Sequence, residues 1–514
     1  MNVIFIITDQ QRADHLGCAG NPVLKTPNID KLASEGVRFS NAYVANPTCM
    51  PNRASIMTGQ YPNTCSRSFG VNLPEDLPTF SETLRQQGYV TKAIGKMHPQ
   101  FWSGKVDESN RSAEFIGDWM NEETHAQMVA DFPKPFYGFD EVDLVVGHGD
   151  CCNGHYEDWL AERSPEYLPV LKELRGKILA DMYRKSPIPE ELYPTSYVTD
   201  RSIDFLENYA KGDYGKEPFL LKVSYPDPHH PCTPPGKYAD MYKPEDMELP
   251  ASFNDLENLL EHKFLGPRLN QLGFFNNMLF HATDEEEAKN FISHTYGMVS
   301  MIDDSVGQIL ETLEKLGLED DTMIVYTSDH GDMMGDHGMI LKGWLPFQGI
   351  LNVPLIFKVP GLAKAGSVSD SLVSAVDLAP TILNLCNIDE EVKPPDMQGL
   401  DITPILKDPG ESLRDCCFIE IDEADSGLNK AMPMAALAMG GPDLRVKYLI
   451  TERYSLTVYN GLPGYGDLFD LQDDPDELSN LWFSNPDLRH ELVEKLLFET
   501  INNQSVYPKK QAMT

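Results

Sequence analysis

A cysteine, a proline and an arginine are spaced for joint chemistry in NPTCMPNRASIMTGQYP, residues 46–62. Pro51 suits the first turn of a helix, which would begin near Cys49. The amino end of a helix stabilises an anion and lowers the pKa of a thiol placed there. Arg53 lies one turn further along and could face the same point. The pattern indicates a reactive group at Cys49, with an inert buried thiol as the alternative.

Two aspartates each follow an apolar, β-branched run that is typical of a buried parallel strand. Asp9 ends the run in NVIFIITD, and Asp329 ends the run in TMIVYTSD. Gln10 stands beside the first aspartate and His330 beside the second. Together these side chains would make an oxygen-rich site for a hard cation such as Ca²⁺ or Mg²⁺. Each aspartate alone could instead cap a helix, but two such strand ends favour the metal.

Further candidates follow two other strands. Lys96 and His98 stand in AIGKMHPQ, and His229 and His230 stand in DPHHPCTPP. A rigid proline-rich loop can aim an imidazole for acid–base chemistry, which makes His229 a candidate proton donor. Each of these histidines could equally be a satisfied loop residue.

The acidic composition makes local basic residues informative. The chain has 42 Lys and Arg against 79 Asp and Glu, a net charge of −37, which argues against a nucleic-acid partner. Lys96, Lys342 and Arg53 are candidates for one anion pocket, although each could be an ordinary solvated charge. His337, which lies shortly before Lys342 in SDHGDMMGDHGMILKGW, is a weaker candidate for a role in the chemistry of the site.

The elements that must position these residues follow a strand–helix–strand pattern. This repetition predicts an α/β fold with a mostly parallel sheet flanked by helices, whose carboxyl edge is where ligands bind. After about residue 405, short apolar strands and a closing helix predict a small α+β domain with an antiparallel sheet. The predicted domains are therefore 1–405 and 406–514. We interpret 100–215 and 240–295 as insertions that shape a substrate pocket.

Length and composition bound the class of protein. The chain has 514 residues, of which 41% are hydrophobic. It is longer than a typical domain with a single hydrophobic core, and it can bury a large core. The sequence contains no run of about 18 apolar residues, so it predicts no membrane-spanning segment. The first residues lack a basic leader, so we expect a cytoplasmic protein, or a periplasmic or secreted one if a leader was removed. The nine irregularly spaced cysteines are expected to be mostly reduced.

The C-x-P-x-R pattern followed by ASIMTGQYP resembles the signature of type I sulfatases, in the alkaline phosphatase superfamily. In that family a formylglycine-generating enzyme oxidises the cysteine to Cα-formylglycine. IITDQ and SDHGDMMGDHG resemble the two metal strands of the family, IGKMH its GKWH element and DPHHP its histidine–proline loop. LFDLQDDPDELSNL resembles its carboxyl-terminal element. The resemblance implies an alkaline-phosphatase-like fold and hydrolysis of sulfate monoesters, either small molecules or carbohydrates.

The resemblance also implies a cofactor and its ligands. The metal would be Ca²⁺, with Mg²⁺ or Mn²⁺ as alternatives. Its implied ligands are Asp9, Gln10, residue 49, Asp329 and His330. Three positions depart from the usual pattern: Asn52 replaces a serine, Gln10 an aspartate and His330 an asparagine. Of these, Gln10 in place of aspartate leaves the metal one fewer anionic ligand.

The roles of the remaining residues are carried over from the family. A hydrated formylglycine at position 49 would attack the sulfur, while Arg53 stabilises charge. Lys96 and Lys342 would hold sulfate oxygens. His229 would protonate the leaving alcohol, and His98 would take the proton whose loss expels sulfate.

Other functions remain open at this point. Phosphonate monoester hydrolases and phosphodiesterases share the fold and the modified residue. DMYKPEDM resembles loops of these hydrolases and of sulfatases alike. A non-catalytic metal and anion binder with Cys49 unmodified is less consistent with the full set of acid, base and anion-binding residues. Substrate selection is expected in the two insertions, where GHGDCCNGHYEDW offers His148, Asp150 and His155, which could touch substrate or only pack.

Overall fold

A computed structural model describes residues 1–101, 112–114, 130–175, 182–269, 281–423 and 444–503. The strands, numbered in chain order, are β1 (Asn2–Thr8), β2 (Val37–Phe39), β3 (Ala42–Tyr43), β4 (Val90–Gly95), β5 (Glu141–Val146), β6 (Asn153–Gly154), β7 (Phe219–Ser224), β8 (His281–Ala282), β9 (Thr322–Ser328), β10 (Met339–Ile340), β11 (Leu355–Lys358), β12 (Ser367–Ser369), β13 (Val373–Ser374), β14 (Cys417–Asp422), β15 (Arg445–Ile450), β16 (Tyr454–Tyr459) and β17 (Gly466–Asp470). The α-helices are Pro27–Glu35, Cys49–Thr58, Phe80–Gln86, His155–Arg163, Leu168–Arg175, Pro194–Lys211, Gly236–Ala239, Leu256–Glu261, Leu265–Leu269, Glu285–Leu316, Gln348–Leu351, Leu378–Leu385, Thr403–Lys407 and Pro486–Asn502.

A nine-stranded sheet occupies the centre of the described chain, in the order β12-β2-β11-β9-β1-β7-β4-β5-β6. The strands β9, β1, β7, β4 and β5 are neighbours and all run parallel. β11 runs antiparallel to both β9 and β2, and β6 runs antiparallel to β5. The predicted α/β fold with a mostly parallel sheet is confirmed. Because parallel strands end at one edge of the sheet, the residues that follow these five strands lie side by side.

The apolar run of β1 is continuous because both faces of the sheet are covered. Alternate side chains of a strand point to opposite faces. Phe5 belongs to the same hydrophobic cluster as Ile56 of the helix Cys49–Thr58. Ile4 belongs to a second cluster, with Ile302 of the long helix on the other face. Strand β1 is thus buried from both sides, which fixes the direction in which its carboxyl end delivers Asp9.

The interpretation of 100–215 as an insertion is wrong for two of its elements. Strand β5 pairs in parallel with β4 and so belongs to the central sheet. The helix Pro194–Lys211 packs against β4 and β7, and Phe205 and Leu206 of this helix lie in the core. The end of the segment 240–295 is likewise part of the scaffold, because it begins the 32-residue helix Glu285–Leu316. Other parts of both segments lie outside the described residues.

The predicted antiparallel strands near the carboxyl end are confirmed. β14, β15, β16 and β17 form a four-stranded sheet in that order, with every pairing antiparallel. The predicted closing helix is Pro486–Asn502. The boundary between domains 1–405 and 406–514 stays a prediction. In the part of the chain that the structure describes, every helix is too short or too polar to cross a bilayer.

Candidate active site

Five neighbouring strand ends bring buried polar side chains together at one edge of the central sheet. The residues are Asp9 after β1, Lys96 after β4, His148 after β5, His229 in the loop after β7, and Asp329 after β9. Four of the five were candidates for catalysis or metal binding from their positions in the sequence. His148 was a candidate only for substrate contact, and the structure places it among the other four.

The helix Cys49–Thr58 delivers Cys49 to the same place. Its ten residues are all buried, and Cys49 is its first residue, as the sequence predicts. Lys342 Nζ donates to Cys49 Sγ at 3.0 Å, and His330 Nε2 lies 3.4 Å from the same sulfur. Burial raises the pKa of the Cys49 thiol, but Lys342 and Lys96 outweigh it and lower the pKa to about 7.

Four of the five predicted metal ligands form a compact cluster. One ligand atom each from Asp9, Cys49, Asp329 and His330 lies within 4.8 Å of the others. Asp9 Oδ1 and the side-chain oxygen of Gln10 are buried and have no hydrogen-bond partner among the described residues. A buried oxygen without a partner is costly, and a cation would satisfy it. The residues present therefore fit a bound divalent metal, although they do not identify the ion.

The orientation of His330 and Gln10 supports this fit. His330 Nδ1 lies 2.9 Å from the carbonyl oxygen of Gly331, which fixes the proton on Nδ1 and leaves Nε2 as a ligand atom. Gln10 has a φ of 68°, in the left-handed region that non-glycine residues rarely adopt. Its side-chain nitrogen donates to Asp332, and its backbone N–H donates to Asp329 Oδ1 at 3.1 Å. Asp332 lies within the quoted SDHGDMMGDHG stretch, but sequence reasoning missed it.

Arg53 contacts both aspartates of the cluster, Asp9 and Asp329. Its Nε donates to Asp329 Oδ2 at 2.6 Å, and its Nη2 lies 3.6 Å from Asp9 Oδ2. Its Nη1 donates to Ser224 Oγ at 2.9 Å. Burial raises the pKa of the Asp9 carboxyl, but Lys96, Lys342 and Arg53 together hold it well below its usual range. Arg53 thus reaches the site, with its guanidinium directed at the two carboxylates of the candidate metal cluster.

Lys96 and His229 are linked through His148. Lys96 Nζ donates to the Asp9 carboxylate and lies 2.8 Å from His148 Nε2. The rings of His148 and His229 are stacked, 3.5 Å apart and 8° from parallel. His229 Nδ1 lies 2.5 Å from the carbonyl oxygen of His230, so Nδ1 carries the proton and Nε2 is left for another partner. Burial lowers the pKa of His229 well below its usual range, and neighbouring positive groups lower it further.

His98 is held by a residue that no motif indicated. Its backbone N–H donates to Glu114 Oε2 at 2.6 Å, and Gln100 N–H donates to Glu114 Oε1 at 2.8 Å. His98 has a φ of 58°, so these bonds hold a strained backbone. Burial lowers the pKa of His98 well below its usual range, and Lys96 and Arg53 add to the effect.

Asn52, at the position where the family resemblance leads one to expect serine, links the Cys49 helix to Asp329, the residue that follows β9. Its Oδ1 accepts from Ala45 N–H at 2.8 Å, and its Nδ2 donates to the carbonyl oxygen of Asp329 at 2.6 Å. An amide can make both bonds because it has a donor and an acceptor on separate atoms. The substitution therefore fits the packing between Cys49 and Asp329.

Comparison with known proteins identifies the family. The sulfatase family model matches residues 1–388. The chain belongs to the sulfatase family. This sulfatase is 30% identical over 487 residues to an arylsulfatase of Clostridium perfringens, with 93% of this chain and 90% of the relative covered. It is 27% identical over 467 residues to an N-acetylglucosamine-6-O-sulfatase of Bacteroides thetaiotaomicron, with coverage of 80% and 72%.

Solved structures agree on the fold. A phosphonate monoester hydrolase of Agrobacterium radiobacter superposes with a TM-score of 0.77 at 25% identity, with 98% of this chain and 96% of that chain covered. The predicted alkaline-phosphatase-like fold, the family and the assignment as a sulfuric ester hydrolase are confirmed. The sulfatase is therefore a hydrolase whose buried Asp, Cys and His cluster fits a metal site.

Three other candidates of this sulfatase make packing contacts. His337 Nδ1 lies 2.8 Å from Asp255 Oδ2, and its ring stacks on Phe347. Asp150 pairs with Arg184 and is not a member of the candidate metal clusters found among the described residues. His155 Nδ1 accepts from the backbone N–H of Leu144 at 2.8 Å, at the start of its helix.

Proposed function

We propose that this sulfatase cleaves sulfate monoesters, of carbohydrates or small molecules, at the cluster around Cys49. The observation that carries the proposal is the position of Lys342, whose Nζ lies 3.0 Å from Cys49 Sγ and 3.8 Å from Asp9 Oδ1. A cation between the metal-ligand carboxylates and the nucleophile position is suited to hold a sulfate oxygen. The carbohydrate class is supported by the name of the Bacteroides relative, an N-acetylglucosamine-6-O-sulfatase.

The proposed metal is Ca²⁺, with Mg²⁺ or Mn²⁺ as the alternatives. It would be held by Asp9, Gln10, residue 49, Asp329 and His330. When bound, the cation would polarise a sulfate oxygen and lower the pKa of a coordinated hydroxyl. The oxygens of the two aspartates and the glutamine favour a hard cation, which supports Ca²⁺.

The proposed nucleophile is a formylglycine at position 49, made by a modifying enzyme from Cys49. It would supply a hydrated aldehyde in place of the thiol. Lys96 and Lys342 bind and orient the sulfate group, since both ammonium groups lie at the Asp9 carboxylate. His229 holds its proton for the leaving oxygen at Nε2, because Nδ1 is committed to the carbonyl of His230. An anionic substrate at this site favours the protonated form of His229. His98 is proposed as the base for the remaining hydroxyl.

A phosphonate monoester hydrolase is the second candidate function. The superposition on the Agrobacterium radiobacter enzyme favours it, since both chains are covered almost completely. Both substrate types carry one negative charge at the reacting centre, so the lysines alone do not separate them. The family match and the arylsulfatase relative favour sulfate.

Mass spectrometry and a substrate panel test the proposal together. The tryptic peptide 39–53, FSNAYVANPTCMPNR, should have a lower mass than its sequence predicts, because the aldehyde replaces the thiol. The protein should hydrolyse glucosamine 6-sulfate or an aryl sulfate with a higher kcat/KM than phenyl phosphonate monoesters. An unmodified peptide in fully active protein would contradict the nucleophile, and a preference for phosphonates would favour the second candidate.

Replacement of His229 by alanine should act selectively on esters with poor leaving groups. A general acid contributes roughly 10²- to 10⁴-fold to proton-assisted cleavage. We expect a loss of that order in kcat for an alkyl or sugar sulfate and a much smaller loss for nitrophenyl sulfate, which leaves without a proton. His337→Ala is the matched control, a buried histidine whose contacts are with Asp255 and Phe347. Equal losses on both esters would exclude His229 as the acid.

A further inference from the structure

His148 makes two contacts with residues of the proposed mechanism. Its Nε2 lies 2.8 Å from Lys96 Nζ and 3.7 Å from Asp9 Oδ2. Its ring covers one face of His229, with ring centres 3.5 Å apart. The side chain is buried, with 6% of the residue exposed. One residue thus contacts both the proposed sulfate-binding ammonium and the proposed acid.

The backbone holds His148 in a defined place. It follows β5, the parallel neighbour of β4, and is flanked by two glycines with positive φ. A Cβ at Gly149 would lie 2.5 Å from the carbonyl oxygen of Pro231, so the loop packs directly against the segment after His230. The N–H of Asp150 also donates to Thr233 Oγ1 at 2.9 Å. The loop carrying His148 is therefore fastened to the loop that carries His229.

The contact with Lys96 has a defined polarity. An ammonium group only donates, so His148 Nε2 must accept, and the ring proton must lie on Nδ1. Two donors of Lys96 are then directed at Asp9 and His148. Among the described residues these are the two hydrogen-bond partners of Lys96 Nζ, so its third donor is available to an anionic group of a substrate. If position 148 had no acceptor, the Lys96 ammonium group would lose one of these two partners and keep only Asp9.

The contact with His229 restricts its ring. The edge of His229 is fixed through Nδ1 to the carbonyl of His230, and the stacked ring of His148 limits tilting about that bond. Because proton transfer requires the donor nitrogen within hydrogen-bond reach of the leaving oxygen, a tilted ring would weaken acid catalysis. A change in the stack is therefore expected to affect the proton-assisted step.

We infer that His148 is a positioning residue that orients the Lys96 ammonium for sulfate binding and the His229 ring for protonation of the leaving group. The inference rests on the proposed function of the cluster. It assigns His148 two separable contributions, because one contact uses Nε2 as an acceptor and the other uses the flat face of the ring.

Two substitutions separate the contributions. His148→Phe keeps a stacked ring and removes the acceptor, whereas His148→Gln keeps an acceptor and removes the ring. We expect His148→Phe to raise KM for nitrophenyl sulfate about tenfold, the order of one charge-assisted hydrogen bond, with unchanged dependence on the leaving group. We expect His148→Gln to leave KM for nitrophenyl sulfate near the wild-type value. Its kcat should fall roughly tenfold or more on an alkyl sulfate only.

His155→Gln is the control, since His155 is the first residue of the helix His155–Arg163 and contacts the backbone N–H of Leu144. Thermal unfolding and metal content establish that each variant is folded and loaded. If either variant fails to fold, His148→Ala, which removes both contacts, must show the KM and leaving-group effects together.

Two results would overturn the inference. The first is wild-type kinetics in folded Phe and Gln variants. The second is the same proportional loss on both substrates in both variants, which would indicate general damage to the site. Absence of sulfate ester hydrolysis by the modified wild-type protein would instead overturn the proposed function, and this inference with it.

Discussion

Cys49→Ser should release at most one equivalent of alcohol from a sulfate ester and then stop. The serine hydroxyl replaces the thiol at the start of the same helix, and Lys96 and Lys342 remain to bind the sulfate. The hydroxyl can attack the sulfur and expel the alcohol, which leaves a sulfated serine. A serine has no second hydroxyl with which to expel sulfate by re-forming a carbonyl, so release requires attack by water. We expect steady turnover to fall roughly 10³-fold or more, with sulfate retained on the peptide 39–53.

Cys65→Ser is the matched control for this experiment. Cys65 is another buried cysteine, and its Sγ lies 3.5 Å from the carbonyl oxygen of Tyr61. The same change of atom there should leave turnover intact. Burst kinetics and peptide mass spectrometry measure the outcome. Continuous turnover by Cys49→Ser at near the wild-type rate would rule out a nucleophile that needs two hydroxyls.

Asp329→Asn should lower metal content and reduce kcat by a factor on the order of 10² or more. The substitution removes a carboxylate from the cluster of Asp9, Cys49 and His330. It also breaks the buried pair with Arg53, whose Nε lies 2.6 Å from Asp329 Oδ2. Loss of that pair lowers stability independently of the metal, so unfolding temperature must be measured beside activity.

Asp377→Asn separates these two effects. Asp377 is also a buried aspartate, and it pairs with Arg414 outside the metal cluster. We expect both variants to unfold at lower temperature, but only Asp329→Asn to lose metal and turnover. Elemental analysis of the purified proteins provides the metal content. A fully active, metal-loaded Asp329→Asn protein would refute the assignment of Asp329 as a ligand.

The local sequence was enough to predict which residues reach the site when their position depends on the end of a single strand. Asp9 and Asp329 each follow a continuous apolar run, and Lys96 follows another predicted strand. The edge at which parallel strands end is a general property of α/β folds. The helix at Cys49 was predictable from Pro51, because proline suits the first turn. These inferences needed no knowledge of which strands are neighbours.

The remaining features depend on contacts between distant segments. His148 lies beside Lys96 because β5 pairs with β4, and the irregular sequence before β5 concealed that it belongs to the central sheet. Glu114 reaches His98 from a segment with no motif. His337 follows Asp329 closely in the sequence, but its side chain pairs with Asp255. For His337, unlike His330 and Lys342, closeness to Asp329 along the chain did not predict contact with the Cys49 cluster.

The burial of the Cys49 helix limits when a modifying enzyme could reach Cys49. All ten residues from Cys49 to Thr58 are buried, and Cys49 itself is 3% exposed. An enzyme that oxidises Cys49 needs access to the cysteine and to its neighbours in the chain, which the folded protein does not offer. On the proposed assignment, oxidation of Cys49 would therefore have to precede the folding of this segment. A chain that folds first keeps its thiol, so the active fraction of a preparation records how often oxidation came first.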